Sequence, residues 1–94
     1  MFYTLMAFLY GEYSGAEIAS IVEKLTKGRV RLGPATLYTI LGHFEEEQIL
    51  METRTDGRKR IYRITDKGIQ MYHDEREQLA QCLADSATWE EESK

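Results

Sequence analysis

Ninety-four residues, 43% of them hydrophobic and 30% charged, make one small domain, and a chain this size buries only somewhat more than ~60% of its unfolded surface, so a second subunit would add useful burial. The single cysteine, Cys82, excludes an intrachain disulfide, and with the two histidines it is too scattered for a zinc site, so neither metal nor cofactor is expected. No run approaches the ~20 apolar residues that cross a bilayer and no basic stretch precedes the apolar opening as in a signal peptide, so a soluble protein of a reducing cytoplasm, without a membrane partner, is expected.

The net charge of −4 argues against a nucleic-acid partner, but its placement argues the other way. Residues 1–23 carry three acids and no base, residues 24–63 carry nine Lys or Arg against five acids, and residues 64–94 carry three bases against eight acids. The basic middle sits between two acidic ends.

Met1 to Tyr10 is apolar almost all round, so the first helix needs cover on two sides: a central core helix, or one shared between core and a dimer contact. Gly11-Glu12-Tyr13 breaks it. Ser14-Gly15-Ala16-Glu17 is a capping box for a second helix, whose apolar face is Ile18, Ile21, Val22 and Leu25. Lys27-Gly28 closes that helix, with glycine free to take the left-handed conformation. Arg29-Val30-Arg31-Leu32 alternates and predicts a minimal strand.

Gly33 and Pro34 open the third helix, Pro at a position where its missing N–H has no intrahelical partner. Leu37, Ile40, Leu41 and Phe44 line its core side. Thr36, Thr39 and His43 fall opposite, with Tyr38 beside Leu37 expected partly in the core with its hydroxyl outward. That face is either solvated surface or a set of hydroxyl, imidazole and methyl groups suited to base edges and phosphates. Glu45-Glu46-Glu47 ends the helix badly for its dipole and for DNA, so any contact belongs to the front half.

Residues 51–55 and 58–64 flank Asp56-Gly57, a strong β-hairpin signal. Arg58, Lys59 and Arg60 make one arm basic, either to neutralise phosphates or as a charged edge that blocks sheet pairing. Thr65 caps a last helix in which Ile69, Arg76 and Leu83 alternate with Tyr72, Leu79 and Ser86 at seven-residue spacing, a seam for another helix. Glu90 to Lys94 is expected to fray. No nucleophile elbow or glycine-rich phosphate loop is present, and the adjacent glutamates read as a solvated turn, so no catalytic residue is assigned and the chain is not expected to be an enzyme.

Helix, helix, short strand, helix, hairpin, helix is the winged-helix arrangement, an α+β, mostly α fold with an added C-terminal dimerisation helix. Gly28 to Tyr38, Glu45 to Ile49 and Gly57 to Thr65 resemble the PadR family of bacterial transcriptional regulators over roughly residues 11 to 68. Ser14-Gly15-Ala16-Glu17 departs from the family's usual His-Gly-Tyr-Glu, Gly42-His43 replaces a basic pair, and Gln48 stands where glycine is usual.

The resemblance implies a homodimeric regulator, a repressor bound to a double-stranded operator, with residues 1–65 as the DNA-binding part and 66–94 as the dimerisation helix and tail. It implies that Arg31, Thr36, Tyr38, Thr39, His43, Arg58, Lys59 and Arg60 face DNA. Trp89 is expected to anchor the dimer or core rather than to stack on a ligand. A small planar hydrophobic effector, if sensed, would lie between subunits where Tyr3, Met6, Phe8, Tyr72, Leu79, Leu83 and Trp89 converge; Leu79 stands where some drug-sensing members hold an aromatic. The competing expectation is a winged-helix protein-interaction module that leaves DNA alone.

Overall fold

The computed structural model describes residues 2–93, so the ends of the expected first helix at Met1 and of the expected frayed tail at Lys94 lie outside the described residues. The elements are α1 (Phe2–Ala7), β1 (Tyr13–Ser14), α2 (Gly15–Leu25), α3 (Pro34–Glu46), β2 (Leu50–Asp56), β3 (Lys59–Ile64) and α4 (Asp66–Glu92). An antiparallel sheet of order β1-β3-β2 completes the winged helix. Its core gathers Leu5 and Phe8 near α1, Ile18 and Val22 of α2, Leu37, Leu41 and Phe44 of α3, then Ile49, Leu50, Tyr62, Ile64 and Tyr72.

The two-sided demand of the first helix is met mostly inside the chain. Leu5 and Phe8 are buried, while Phe2, Tyr3, Met6 and Leu9 are partly buried against the core, and the Phe2 ring stacks on Tyr72 with centroids 5.1 Å apart.

The capping box of α2 closes as its residues dictate. The Ser14 N–H donates to Glu17 Oε1 at 3.0 Å and the Glu17 N–H donates to Ser14 Oγ at 3.3 Å. Both α2 and α3 end in the same six-residue wrap, and in both a non-glycine residue takes the left-handed position: Lys27 at φ 52° and Gln48 at φ 59°. Gly28 N–H donates to Glu23 at 2.8 Å after α2; Ile49 N–H donates to Phe44 at 2.8 Å and Gln48 N–H to Glu45 at 3.1 Å after α3. Burial of Phe44 and Ile49 adds the apolar contact that accompanies this motif.

The expected strand at Arg29 to Leu32 does not form. Thr26, fully buried, donates its hydroxyl to Val22 O at 2.8 Å and accepts the Val30 N–H at 3.1 Å, so a side chain takes the donor that a ladder would have used. The alternation survives only as packing, with Val30 and Leu32 turned to the core. The third strand is Tyr13–Ser14, paired with Tyr62 and Ile61.

In the hairpin Asp56 pairs with Lys59, so the two-residue loop is Gly57-Arg58, one residue later than the sequence suggested. Gly57 has φ 63°, the conformation a two-residue hairpin demands at its first loop position when glycine stands there. The register breaks between Glu52 and Arg54, leaving Thr53 as a bulge whose hydroxyl donates to Ile61 O at 3.3 Å.

Thr65 caps α4 by accepting the Gly68 N–H at 3.2 Å. Gly68 has to be glycine: a Cβ there would lie 2.6 Å from Ile49 O and from Ile64 Cγ1. Contrary to the expected fraying, Glu90, Glu91 and Glu92 are helical. From Arg76 to Ser93 every residue is exposed, and this uncovered arm stretches the chain to 59 × 28 × 21 Å.

Candidate nucleic-acid interface

Leu37, Leu41 and Phe44 bury one side of α3, and Thr36, Tyr38, Thr39, Gly42 and His43 are left exposed on the other. Tyr38 is 72% exposed, so the expected partial burial is corrected: the whole ring belongs to the outer face, because Leu37 and Leu41 already fill the space beneath. Thr39 donates its hydroxyl to Ala35 O at 2.9 Å, which leaves its methyl group and oxygen lone pairs turned outward.

Across from this face stands the hairpin. A cleft of about 170 Å³ runs between them, lined by Ser14, Gly15 and Ala16 at the head of α2, by Tyr38 and Leu41 of α3, and by Arg58, Lys59, Arg60 and Tyr62. Backbone N–H groups at a helix start and unpaired cations on one rim suit a phosphate chain. Glu17, one residue past Ala16 in the first turn of α2, is the nearest acid in sequence to that helix start. Its carboxyl is held below the ordinary range, first by the Ser14 N–H and hydroxyl and then by the fields of Lys59 and Arg54.

The basic residues of the middle segment are not equivalent. Arg31 pairs with Glu23 at 3.2 Å and Arg54 with Glu12 at 3.6 Å. Arg60 Nη2 reaches Glu45 Oε2 at 2.9 Å and Glu52 Oε2 at 2.8 Å, its Nε donates to Glu52 at 3.0 Å, and its guanidinium lies 5.3 Å from the centre of the Tyr62 ring. Two of the expected phosphate contacts, Arg31 and Arg60, therefore already have carboxylate partners. Arg58 and Lys59 have none among the described residues. Burial, and then the nearby Glu45 charge, pushes the Tyr62 phenol up, so it stays neutral.

The residues of the effector cluster expected between subunits are spread over the core and the far part of α4 in one chain. Phe8 is fully buried in the core of its own chain, beside Tyr13 with ring centres 6.3 Å apart. Tyr72 is buried beside a cleft of about 500 Å³ that also touches Leu9, Tyr10, Ile69, His73 and Arg76. Tyr3 and Met6 are half-buried, and Leu79, Leu83 and Trp89 lie out on the arm.

Sequence reasoning missed Arg60 as a bridge and Thr26 as a buried hub. The bridge had a faint signal, since three acids end α3 and a guanidinium nearby would relieve their clash with the helix dipole. No group of three or more metal-binding side chains occurs among the described residues, and no helix is long and apolar enough to cross a membrane.

The model of the transcriptional regulator PadR-like family matches residues 5–74. A search of curated proteins gives no match. Among solved structures the chain is similar to a transcriptional regulator from Clostridium thermocellum, with 23% identity and a TM-score of 0.77 over 90% of this chain and 85% of that one. It is similar to F93 from STIV, a winged-helix DNA-binding protein, with 15% identity and a TM-score of 0.73 over 83% and 84%. It is also similar to Bacillus subtilis PadR in complex with operator DNA, with 25% identity and a TM-score of 0.66 over 78% of this chain and 43% of that longer one.

Proposed function

This chain belongs to the PadR-like family of winged-helix transcriptional regulators, and we propose that it acts as a homodimeric repressor, with α3 in the major groove and the β2–β3 wing along the flanking phosphates. The observation that carries this reading is an exposed hydroxyl, phenol and imidazole face on α3 whose Tyr38 shares one cleft with two uncompensated cations, Arg58 and Lys59. Short polar groups discriminate base edges, and cations grip the backbone of any sequence. An overall acidic protein binds DNA in this way because Asp85 and Glu90 to Glu92 lie out on the exposed far part of α4 rather than on the wing, and screening weakens their repulsion beyond about 10 Å at 0.1 M salt.

The two contact sets separate by experiment. Thr39→Ala or His43→Ala should cost ~1–3 kcal/mol on the duplex selected as tightest from a random-sequence library and little on random duplex. Arg58→Ala with Lys59→Ala should weaken both alike and flatten the log–log salt dependence by about two units per subunit. Salt-independent or absent binding of both duplexes by the unaltered protein would sink the DNA reading and leave the protein-interaction module.

The homodimer rests on the arm. Leu79, Leu83 and Trp89 are 55%, 74% and 71% exposed on a stretch of α4, Arg76 to Ser93, that nothing in its own chain covers, and a cleft beside Tyr72 offers the apolar seat such a stretch requires. Leu79→Ser with Leu83→Ser should turn a dimer into a monomer in sedimentation at micromolar concentration. An effector pocket would then be completed between subunits near Trp89. Since Trp89 is the single tryptophan, its fluorescence reports binding of planar cationic dyes, and unchanged emission with every dye would leave the protein a repressor without this effector.

A further inference from the structure

Arg60 stands apart from the two cations beside it. The hairpin is exposed from Met51 to Arg60, and a two-stranded ribbon is marginal by itself. The Thr53 bulge adds a bend where the register breaks. Something outside the ribbon has to fix where its tip points. The Arg60 guanidinium joins three elements at that place: it sits on β3, it donates to Glu52 on β2 just before the bulge, and it donates to both carboxylate oxygens of Glu45 at 3.1 and 2.9 Å in the last turn of α3.

Resting on the DNA reading above, we propose that Arg60 is a positioning residue, a latch that holds the wing at a fixed distance from the reader helix so that one duplex meets base-reading and phosphate-binding groups together. The planar fork explains why arginine is needed. It presents Nε to one carboxylate and Nη2 to two, with its face over Tyr62, whereas a lysine ammonium is a point charge without that geometry. Arg60 is thereby removed from the set that neutralises phosphates. Glu45, in the last turn of α3 and unfavourable for its own helix dipole, serves as the fixed side of the latch.

The test compares the affinity ratio of selected to random duplex, and the salt slope, across variants of the full chain. Arg60→Lys keeps the charge and should lower the ratio about tenfold, about the effect of losing a bidentate contact. Arg60→Ala should lower it similarly while leaving the salt slope within about half a unit of the unaltered protein, where Arg58→Ala loses about one. Glu45→Gln with Glu52→Gln should lower the ratio while strengthening binding to random duplex. An Arg60→Lys ratio equal to that of the unaltered protein overturns the latch, and so does an Arg60→Ala slope that falls as far as that of Arg58→Ala.

Amide exchange without DNA reads the latch independently of any DNA result. Amides of residues 54–59 should exchange about tenfold faster in Arg60→Lys while core amides at Leu41 and Phe44 keep their rates. Equal wing rates overturn the latch even if DNA binding stands, and absent DNA binding with faster wing exchange would overturn the function but keep the latch.

Discussion

The head and the far end of α4 share one helix and live in opposite surroundings. At the head, Gly68 is pressed against the Ile49 carbonyl, Tyr72 stacks on Phe2, and Ile69 packs on the core. From Arg76 to Ser93 no residue is even half-buried. The head is held by tertiary packing; the arm has helix propensity, local bonds such as Gln81 to Asp85 at 2.9 Å and the Thr88 hydroxyl to Ala84 O at 3.2 Å, and its continuity with the head. Isolated helices of this length are marginal in water. The contrast teaches that a regular sequence pattern does not say who supplies the cover.

The sharpest break of that comparison exchanges aromatics. Phe8→Ala should cost ~3–5 kcal/mol in thermal or urea denaturation, the price of a cavity in a closed core. Trp89→Ala, measured at dilution where chains are separate, should stay within ~0.5 kcal/mol. A large loss at Trp89 under those conditions would show that the arm packs on its own chain.

A smaller change sharpens the account of the body. Gln48 sits at φ 59° where the wrap after α3 favours glycine, so Gln48→Gly should stabilise by about 1 kcal/mol. The same substitution out on the arm, Gln81→Gly, should instead destabilise its helix by a similar amount. Helicity by circular dichroism and the denaturation midpoint check the pair.

The smallest effect is in acid. The Glu17 carboxyl is depressed on folding, so the capping box adds stability that is fully present above the ordinary glutamate value and is lost as pH falls through the depressed one. Glu17→Gln should remove that part of the acid slope and leave the arm's helicity unmoved. An unchanged slope would show that the exposed cap carries no linkage.

How far this was legible follows from where each determinant lies in the chain. The capping box, Pro34, the hairpin glycine and the Thr65 cap act over a few residues, and each element they mark is present, with the loop displaced by one residue. The strand at Tyr13–Ser14 was not legible, since it exists only because β3 offers a free edge and Thr26 has already satisfied the Val30 N–H. The fate of Arg60 was hidden for the same reason. Glu45 and Glu52 lie 15 and 8 positions away, and three adjacent basic residues look alike until the fold separates one from the others. The reader face was legible as a periodicity, except that Tyr38 is far more exposed than its neighbour Leu37 suggested.

The turn between α3 and β2 has a mechanical consequence. Thr65 donates its hydroxyl to Gln48 O at 2.6 Å and its N–H to Ile49 O at 2.9 Å, and Lys67 Nζ donates to Glu47 O at 2.6 Å, so the root of α4 is fastened to the tail of α3. At 1.5 Å per residue α4 is about 40 Å long and α3 about 20 Å. The fastening is thus the fulcrum of a lever with unequal arms. A tilt that carried both helices together and swept the far tip of α4 by 2 Å would move the leading turn of α3 by about 1 Å. Whatever rests on the long arm therefore works at a mechanical advantage of about two on the short one.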